Sequence, residues 1–286
     1  MTPLKNQLDR EISRIWELLR RVVHRESDFL FNSHYRIETL DKLRIIYPAD
    51  SRPHCVIERL YLCGPCIDTA TIFIDKNRFC VDDRFVDAQN SLVVRCNEPN
   101  GLLFLGQDVN LYRCEFDLGI VGAPSPPPSF QPPTIVVANG VSATSSRFQS
   151  ASNGDIVLGM CSALAKNSIL RTHDDHSIVD ISLGEIVNSP ISITLEGYNW
   201  ICEDVVVLKG VTIGYGSVLA ARAVATKDCP RKSLFAGVPA NVVRQNISWQ
   251  SHPYSIDLEH LNNCMHSCES ELKASNPSAS NFPAIE

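Results

Sequence analysis

The chain has 286 residues, 44% of them hydrophobic and 20% charged, with a net charge of −6. That length suits one large domain or two ordinary ones, and the acidic balance argues against nucleic acid or an anionic membrane as the main partner. No apolar run reaches the ~18 residues that span a bilayer, and the acids in MTPLKNQLDREISRIWELL interrupt the apolar core a signal peptide needs, so a cytoplasmic protein is expected. The eleven cysteines are scattered and odd in number, which reads as reduced thiols rather than a disulfide framework.

Taken in chain order, Leu4, Leu8, Ile12, Ile15, Leu19 and Val22 recur at steps of four and three. That spacing predicts an amphipathic helix with a packing or oligomer face. A second helical or mixed piece is expected up to about Tyr47, with Pro48 ending it. Next, LCGPC holds Cys63 and Cys66 at redox-motif spacing. Lowering a thiol pKa there takes a helix beginning at the motif. The continuation IDTATIFID alternates like a strand, so a tight Gly-Pro turn between strands is the expected reading. TIFID, SLVVRC, GLLFLG and NLYRCEFD then read as short strands, and APSPPPSFQPPT (123–134) as a stiff surface excursion. At the far end, CMHSC (264–268) has no second ligand pair for zinc, and the chain closes on a short helix and a disordered tail.

Between these lies a period. Leu195, Ile201, Val207, Ile213, Leu219 and Ala225 recur every six residues, and so do Leu158, Leu164 and Leu170. Val137 with Ala143, and Leu105 with Leu111, are weaker pairs. A period of six fits neither a helix nor a flat strand; it is the repeat of a parallel β-helix. Three hexads close a triangular coil of eighteen residues, so Ile213 should lie over Leu195, Leu219 over Ile201 and Ala225 over Val207. Leu170 and Leu195 are twenty-five apart, which breaks the period and marks RTHDDHSIVDISLGEIVNSPIS as an inserted loop. Interruptions of a repeat commonly mark its binding face. Its two histidines and several acids allow a metal site, an acid–base site or a polar loop. Zinc would need further histidines on the coils, and the repeat supplies none, so no metal is expected.

Several stretches are worded like one family. They are LGMCSALAKNSILRT, the HDDH at 173–176, the Trp200-Ile201 pair, LKGVTIGYGSVLAA, TKD, AGVPANVVR and NISW. On these, residues 155–249 resemble the left-handed β-helix, hexapeptide-repeat acyltransferases, and most closely the bacterial O-acetyltransferases of capsule and lipopolysaccharide sugars. The resemblance implies a mainly β fold: a left-handed parallel β-helix with an N-terminal helical segment and a short C-terminal helix and tail. Residues 1–90 are read as a cap or oligomer contact, 91–249 as the β-helix with its catalytic loop at 171–193, and 250–286 as helix and tail.

The resemblance also implies a homotrimer that moves an acetyl group from acetyl-CoA to a sugar hydroxyl. His176 aligns with the family's histidine, and a neutral imidazole can take the proton from the attacking hydroxyl. Asp174 would orient the imidazole or the acceptor, and Trp200 would wall the cleft. Ala221, Thr226 and Lys227 match the family's CoA stretch, with Arg244 a second phosphate partner. Glu196, Cys202, Arg222 and DCPRKS depart from family wording, in turns expected to line the CoA groove. An amine acceptor on an amino sugar, and a β-helix scaffold without catalysis, are the alternatives.

Overall fold

The computed structural model describes residues 3–22, 35–40, 43–49, 57–62, 70–74, 92–251, 253–259, 261–263, 265–266 and 270. The fold is mainly β, a left-handed parallel β-helix of three sheets that form the faces of a prism. Face A contains Thr134–Val137, Ile156–Leu158, Ile193–Leu195 and Thr212–Ile213. Face C contains Ser142–Thr144, Ala163–Leu164, Trp200–Ile201 and Val218–Leu219. Face B contains Arg147–Ser150, Ile169–Arg171, Val206–Leu208 and Val224–Ala225. Each coil runs along A, then C, then B, and returns to A.

The hexad register is observed rung by rung. Leu195 pairs with Ile213, Ile201 with Leu219 and Val207 with Ala225. Earlier coils obey it too, with Leu158 on Val137, Leu164 on Ala143 and Leu170 on Phe148. All these side chains lie in one buried cluster. Parallel pairing gives each inward residue the same neighbour one coil on, so the core is a set of aliphatic columns. The turns share one rule as well. Cys161, Asn167, Tyr198, Asp204, Gly210, Gly216 and Arg222 all have positive φ, each the third residue after an inward aliphatic. Left-handed backbone at a non-glycine residue costs about 1–2 kcal/mol, which is why this column favours Gly, Asn and Asp.

Two expectations about the N-terminal region change. Residues 35–48 are not helical: Tyr35–Leu40 and Leu43–Pro48 form an antiparallel hairpin. The second strand is then extended in parallel by Ala70–Ile74. Joining the end of face A satisfies the backbone of YRIETL and LRIIYP better than a lone helix could. Nor is residue 91 a break in the sheets. Ala70–Ile74 pairs with Leu102–Leu105, and Ile57–Leu62 with Leu92–Cys96, so faces A and B continue into the first 90 residues.

The expected first helix is present as α1 (Pro3–Leu19). Its stripe of Ile15, Leu18, Leu19 and Val22 packs on the outer side of face A, against Phe73, Phe104, Val136 and Val157. Arg14 ties it to the middle coils through Asp155 at 2.8 Å, the Pro132 carbonyl at 3.0 Å and Gln131. The proline stretch is an exposed excursion between Glu115–Leu118 and Thr134–Val137. No helix of the described residues is long and apolar enough to cross a membrane. Cys96, Cys114, Cys161, Cys202 and Cys229 are free thiols, while Cys63, Cys66, Cys264 and Cys268 lie outside the described residues, as does the tail after 270.

Candidate active site

The broken period has a structural counterpart. Leu158 pairs with Leu195 and Leu170 with Val207, both 37 residues apart where an unbroken coil needs eighteen. The extra residues leave from Ile169–Arg171 on face B and return as Ile193–Leu195 on face A, so they project from the B–A edge. Their outer part is a small hairpin, Val179–Asp180 against Glu185–Ile186. Asp180 shapes its tip by accepting hydrogen bonds from the Ser182 amide at 2.8 Å and the Leu183 amide at 3.2 Å, with Gly184 at a φ of +67°. The hydrogen bond from the Ser182 hydroxyl, followed by the Leu183 and Ser182 amide bonds, holds the Asp180 carboxyl below its ordinary range. The hairpin is strongly apolar and open: Ile178, Val179, Leu183, Ile186 and Val187 are exposed, and Ile181 is 95% exposed.

The base of the loop is polar and well tied. Asp174 Oδ2 accepts from Lys209 Nζ and from Asn188 Nδ2, the latter at 2.9 Å. Asn188 Nδ2 also donates to the His176 carbonyl at 2.9 Å, and Asn188 Oδ1 accepts from the Ile178 amide at 2.6 Å. Lys209 Nζ donates to the Asn188 carbonyl at 2.7 Å. The hydrogen bond from Lys209 is the largest influence holding the Asp174 carboxyl below its usual range, followed among the lowering effects by Asn188. Arg171 pairs with Asp175, which sits at a φ of +60°.

The two loop histidines are placed in opposite ways. His176 is exposed, its amide donating to the Asp174 carbonyl at 2.7 Å, and its imidazole makes no hydrogen bond among the described residues. His173 is only 3% exposed. Its Nδ1 faces Asp175 Oδ1 at 3.1 Å, while its Nε2 is buried without a partner among the described residues. Burial pushes its imidazole below the ordinary histidine range, against the opposing pull of Asp175. His173 is therefore a neutral packing residue under the loop.

The same edge continues one coil further. Lys209 follows Val206–Leu208, and Thr226 and Lys227 follow Val224–Ala225, so Lys209 and Lys227 occupy equivalent turns eighteen residues apart. Thr226 and Lys227 are exposed, and Lys227 Nζ donates to Asn241 Oδ1 at 2.6 Å. Arg244 is exposed on Ala240–Gln245, the strand that ends face C, and Ala221 is exposed on the C–B edge.

No family model matches the chain. Over 95 residues it is 35% identical to the polysialic acid O-acetyltransferase of Escherichia coli O1:K1 / APEC, covering 33% of this chain and 31% of the relative. Over 75 residues it is 43% identical to the galactoside O-acetyltransferase of Escherichia coli strain K12, covering 26% of this chain and 36% of the relative. The crystal structure of the polysialic acid O-acetyltransferase OatWY superposes with a TM-score of 0.54 at 17% identity, covering 73% of this chain and 94% of that one. The chain resembles the hexapeptide-repeat O-acetyltransferases. It spans about a third of the length of the curated relatives it matches in sequence, and the structural likeness is one of fold.

Set against the O-acetyltransferase pattern, the candidate residues divide. His176, Asp174, Thr226 and Lys227 share the B–A edge. Trp200 does not: it stands on face C, across the prism from that edge, 41% exposed. Its ring lies 6.1 Å from that of Trp249, which stacks on Tyr198 at 5.0 Å and donates from Nε1 to the Tyr198 carbonyl at 2.8 Å. Leu261 and Met265 pack on the same aromatic group. Of the departures from O-acetyltransferase wording, Asp228 shares the B–A edge and accepts from the Thr212 amide at 2.7 Å, while Glu196, Cys202, Arg222 and Arg231 fall elsewhere. Glu196 and Arg231 form a two-pronged ion pair at 2.7 and 2.8 Å on the A–C edge, so one departure supports the other. Arg222 takes the left-handed position where glycine is usual. Sequence reasoning missed Asn188 and Lys209. The eighteen-residue step from Lys209 to Lys227 was the one available signal.

Proposed function

We propose that the protein is an acetyltransferase that moves an acetyl group from acetyl-CoA to a hydroxyl of a sugar, in a cell-surface polysaccharide or its precursor. One observation carries the reading: an exposed imidazole, His176, on a loop anchored to the edge that bears Thr226 and Lys227. The relatives named as O-acetyltransferases support the reaction class.

In this reading His176 is the general base. The acceptor hydroxyl attacks the thioester carbonyl while its proton passes to the imidazole. The tetrahedral intermediate collapses, the carbon–sulfur bond breaks, and the imidazolium returns a proton to the departing thiolate. The products are an acetyl ester and free CoA. Lys227 and Arg244 meet phosphates of the donor, and Ala221 and Thr226 line its pantetheine path. Asp174, engaged at Oδ2 by Lys209 and Asn188, anchors the loop rather than the ring. The work belongs in the cytoplasm, where acetyl-CoA is at hand.

Trp200 enters the site only through a neighbour. A homotrimer would bring the loop of one subunit against face C of the next, and the open apolar hairpin supports such a contact. The first strands and α1 would cap and cover the prism. The test is calorimetric titration of acetyl-CoA, followed by free-thiol release with a panel of sugar and amino-sugar acceptors. Binding near one per chain, with thiol release that His176→Ala abolishes, is the expected result. No binding at millimolar acetyl-CoA rejects the enzyme in favour of a scaffold, and a preference for amines moves the acceptor to an amino sugar.

A further inference from the structure

The loop histidine is held by groups that have no part in the chemistry as described so far. Asn188 grips the chain on both sides of Ser177: its Nδ2 donates to the His176 carbonyl at 2.9 Å, and its Oδ1 accepts from the Ile178 amide at 2.6 Å. Asn188 is itself fixed from below, because Lys209 Nζ donates to its carbonyl at 2.7 Å. The same ammonium and the same amide meet on Asp174 Oδ2. Lys209 belongs to the next coil, where its neighbours Val207 and Leu208 pair with Leu170 and Arg171. The backbone of His176 is thus linked to a rigid column of the prism through two side chains. The Lys209 side chain is 19% exposed, so its charge works in a partly sheltered place.

We propose that Lys209 and Asn188 are positioning residues that set the height and direction of the His176 imidazole over the donor thioester. This rests on the acetyltransferase reading above. A base that must meet a hydroxyl and a thioester at once tolerates little displacement, and about 1 Å of misplacement can cost about 100-fold in rate. A hairpin hinged only by its two strand ends would swing by more than that. The clasp removes the swing and leaves the imidazole free. Lys209 is also one coil from Lys227, so binding donor phosphate is the competing role, and it makes a different kinetic prediction.

The experiment compares wild type, Lys209→Met, Lys209→Arg, Asn188→Ala and the Lys209→Met/Asn188→Ala pair. Thiol release gives kcat and KM, and calorimetry gives the stoichiometry and affinity for acetyl-CoA. Positioning predicts a kcat lower by about 10- to 100-fold for Lys209→Met and Asn188→Ala, with affinity and stoichiometry within about twofold of wild type. Lys209→Arg should recover most of kcat, and the double variant should lose far less than the product of the two singles, because both break one linkage. The charged groups around the loop base are Arg171, Asp174, Asp175 and Lys209, with His173 neutral beneath. A fall in kcat at unchanged acetyl-CoA affinity and stoichiometry, recovered by Lys209→Arg, is what a mere loss of folded protein would not give.

Full kcat in both single variants overturns the positioning role. A loss confined to acetyl-CoA affinity overturns it in favour of phosphate binding. Wild-type protein that binds acetyl-CoA but transfers to no acceptor overturns the acetyltransferase reading, and the positioning role falls with it. Wild-type transfer that survives His176→Ala overturns His176 as the base and leaves the clasp nothing to position.

Discussion

The A–C edge and the B–A edge of the prism are built from the same repeat and treated in opposite ways. From face A to face C, four residues separate the strands in every coil from Leu102–Leu105 to Val218–Leu219. From face B to face A, the connection swells to fifteen residues at the proline excursion and twenty-one at the histidine loop, then shrinks to three before Thr212–Ile213. The columns inside do not register the difference, since Phe116, Phe148, Leu170, Val207 and Ala225 stack without a gap. A coil closes as long as each strand returns to its column, so insertions are tolerated at an edge but not within a strand. Gathering them on one edge gives a regular prism a single irregular side.

That contrast can be broken in several ways. The largest effect expected is on chemistry at the B–A edge. His176→Ala should lower kcat by about 100- to 10,000-fold, measured by thiol release, while acetyl-CoA affinity and Tm stay near wild type. Equal loss of affinity would mean that the edge binds without reacting. Next comes the interior. Ile201→Ala should cost about 2–5 kcal/mol in denaturant unfolding, because Leu164 and Leu219 lose the rung between them. A cost below about 1 kcal/mol would show that the column relaxes and that coils are less interdependent than described.

A third test concerns pH. The His173 pKa is lowered in the folded chain, so its neutral form is the one the fold favours. Its contribution to stability is complete above the ordinary imidazole range, near 6.5, and is lost as pH falls below that through the lowered folded value. Thermal stability should therefore fall on going from pH 7 to pH 5.5, and His173→Asn should flatten that slope. An unchanged slope would place the titrating group elsewhere. The smallest effect belongs to the regular edge. Arg231→Ala should cost about 1 kcal/mol and leave acetyl-CoA binding untouched, since its partner Glu196 is far from Lys227 around the coil. A drop in affinity would extend the donor groove to the A–C edge.

The period of six made the later coils legible, down to the pairs Leu195–Ile213 and Ile201–Leu219, because a β-helix repeats the same contact. The position of the loop was legible as a failure of that period. The N-terminal strands were not: YRIETL and LRIIYP carry no hexad, and only the docking of LRIIYP on Ala70–Ile74, with YRIETL paired to it, decides their state. Asn188 and Lys209 were invisible for a different reason. They act on Asp174 from 14 and 35 residues away, and nothing in either residue type announces a clasp. Trp200 was found as a motif residue, but its tilted ring contact with Trp249 depends on how the chain after Gln245 folds back.

The docking of α1 also sets an order of events during synthesis. Its apolar stripe is made first, yet its partners Val136, Ala138 and Val157, and the Asp155 that receives Arg14, are made last among its contacts. At ribosomal speeds of about 5–20 residues per second, that leaves an amphipathic helix without its full set of partners for roughly 7 to 27 seconds. A nascent chain stopped short of residue 155 could cover the stripe with Ile46, Phe73, Leu102, Phe104 and Val136 but would lack Val157 and the Arg14–Asp155 pair, so the helix would be packed before it was locked.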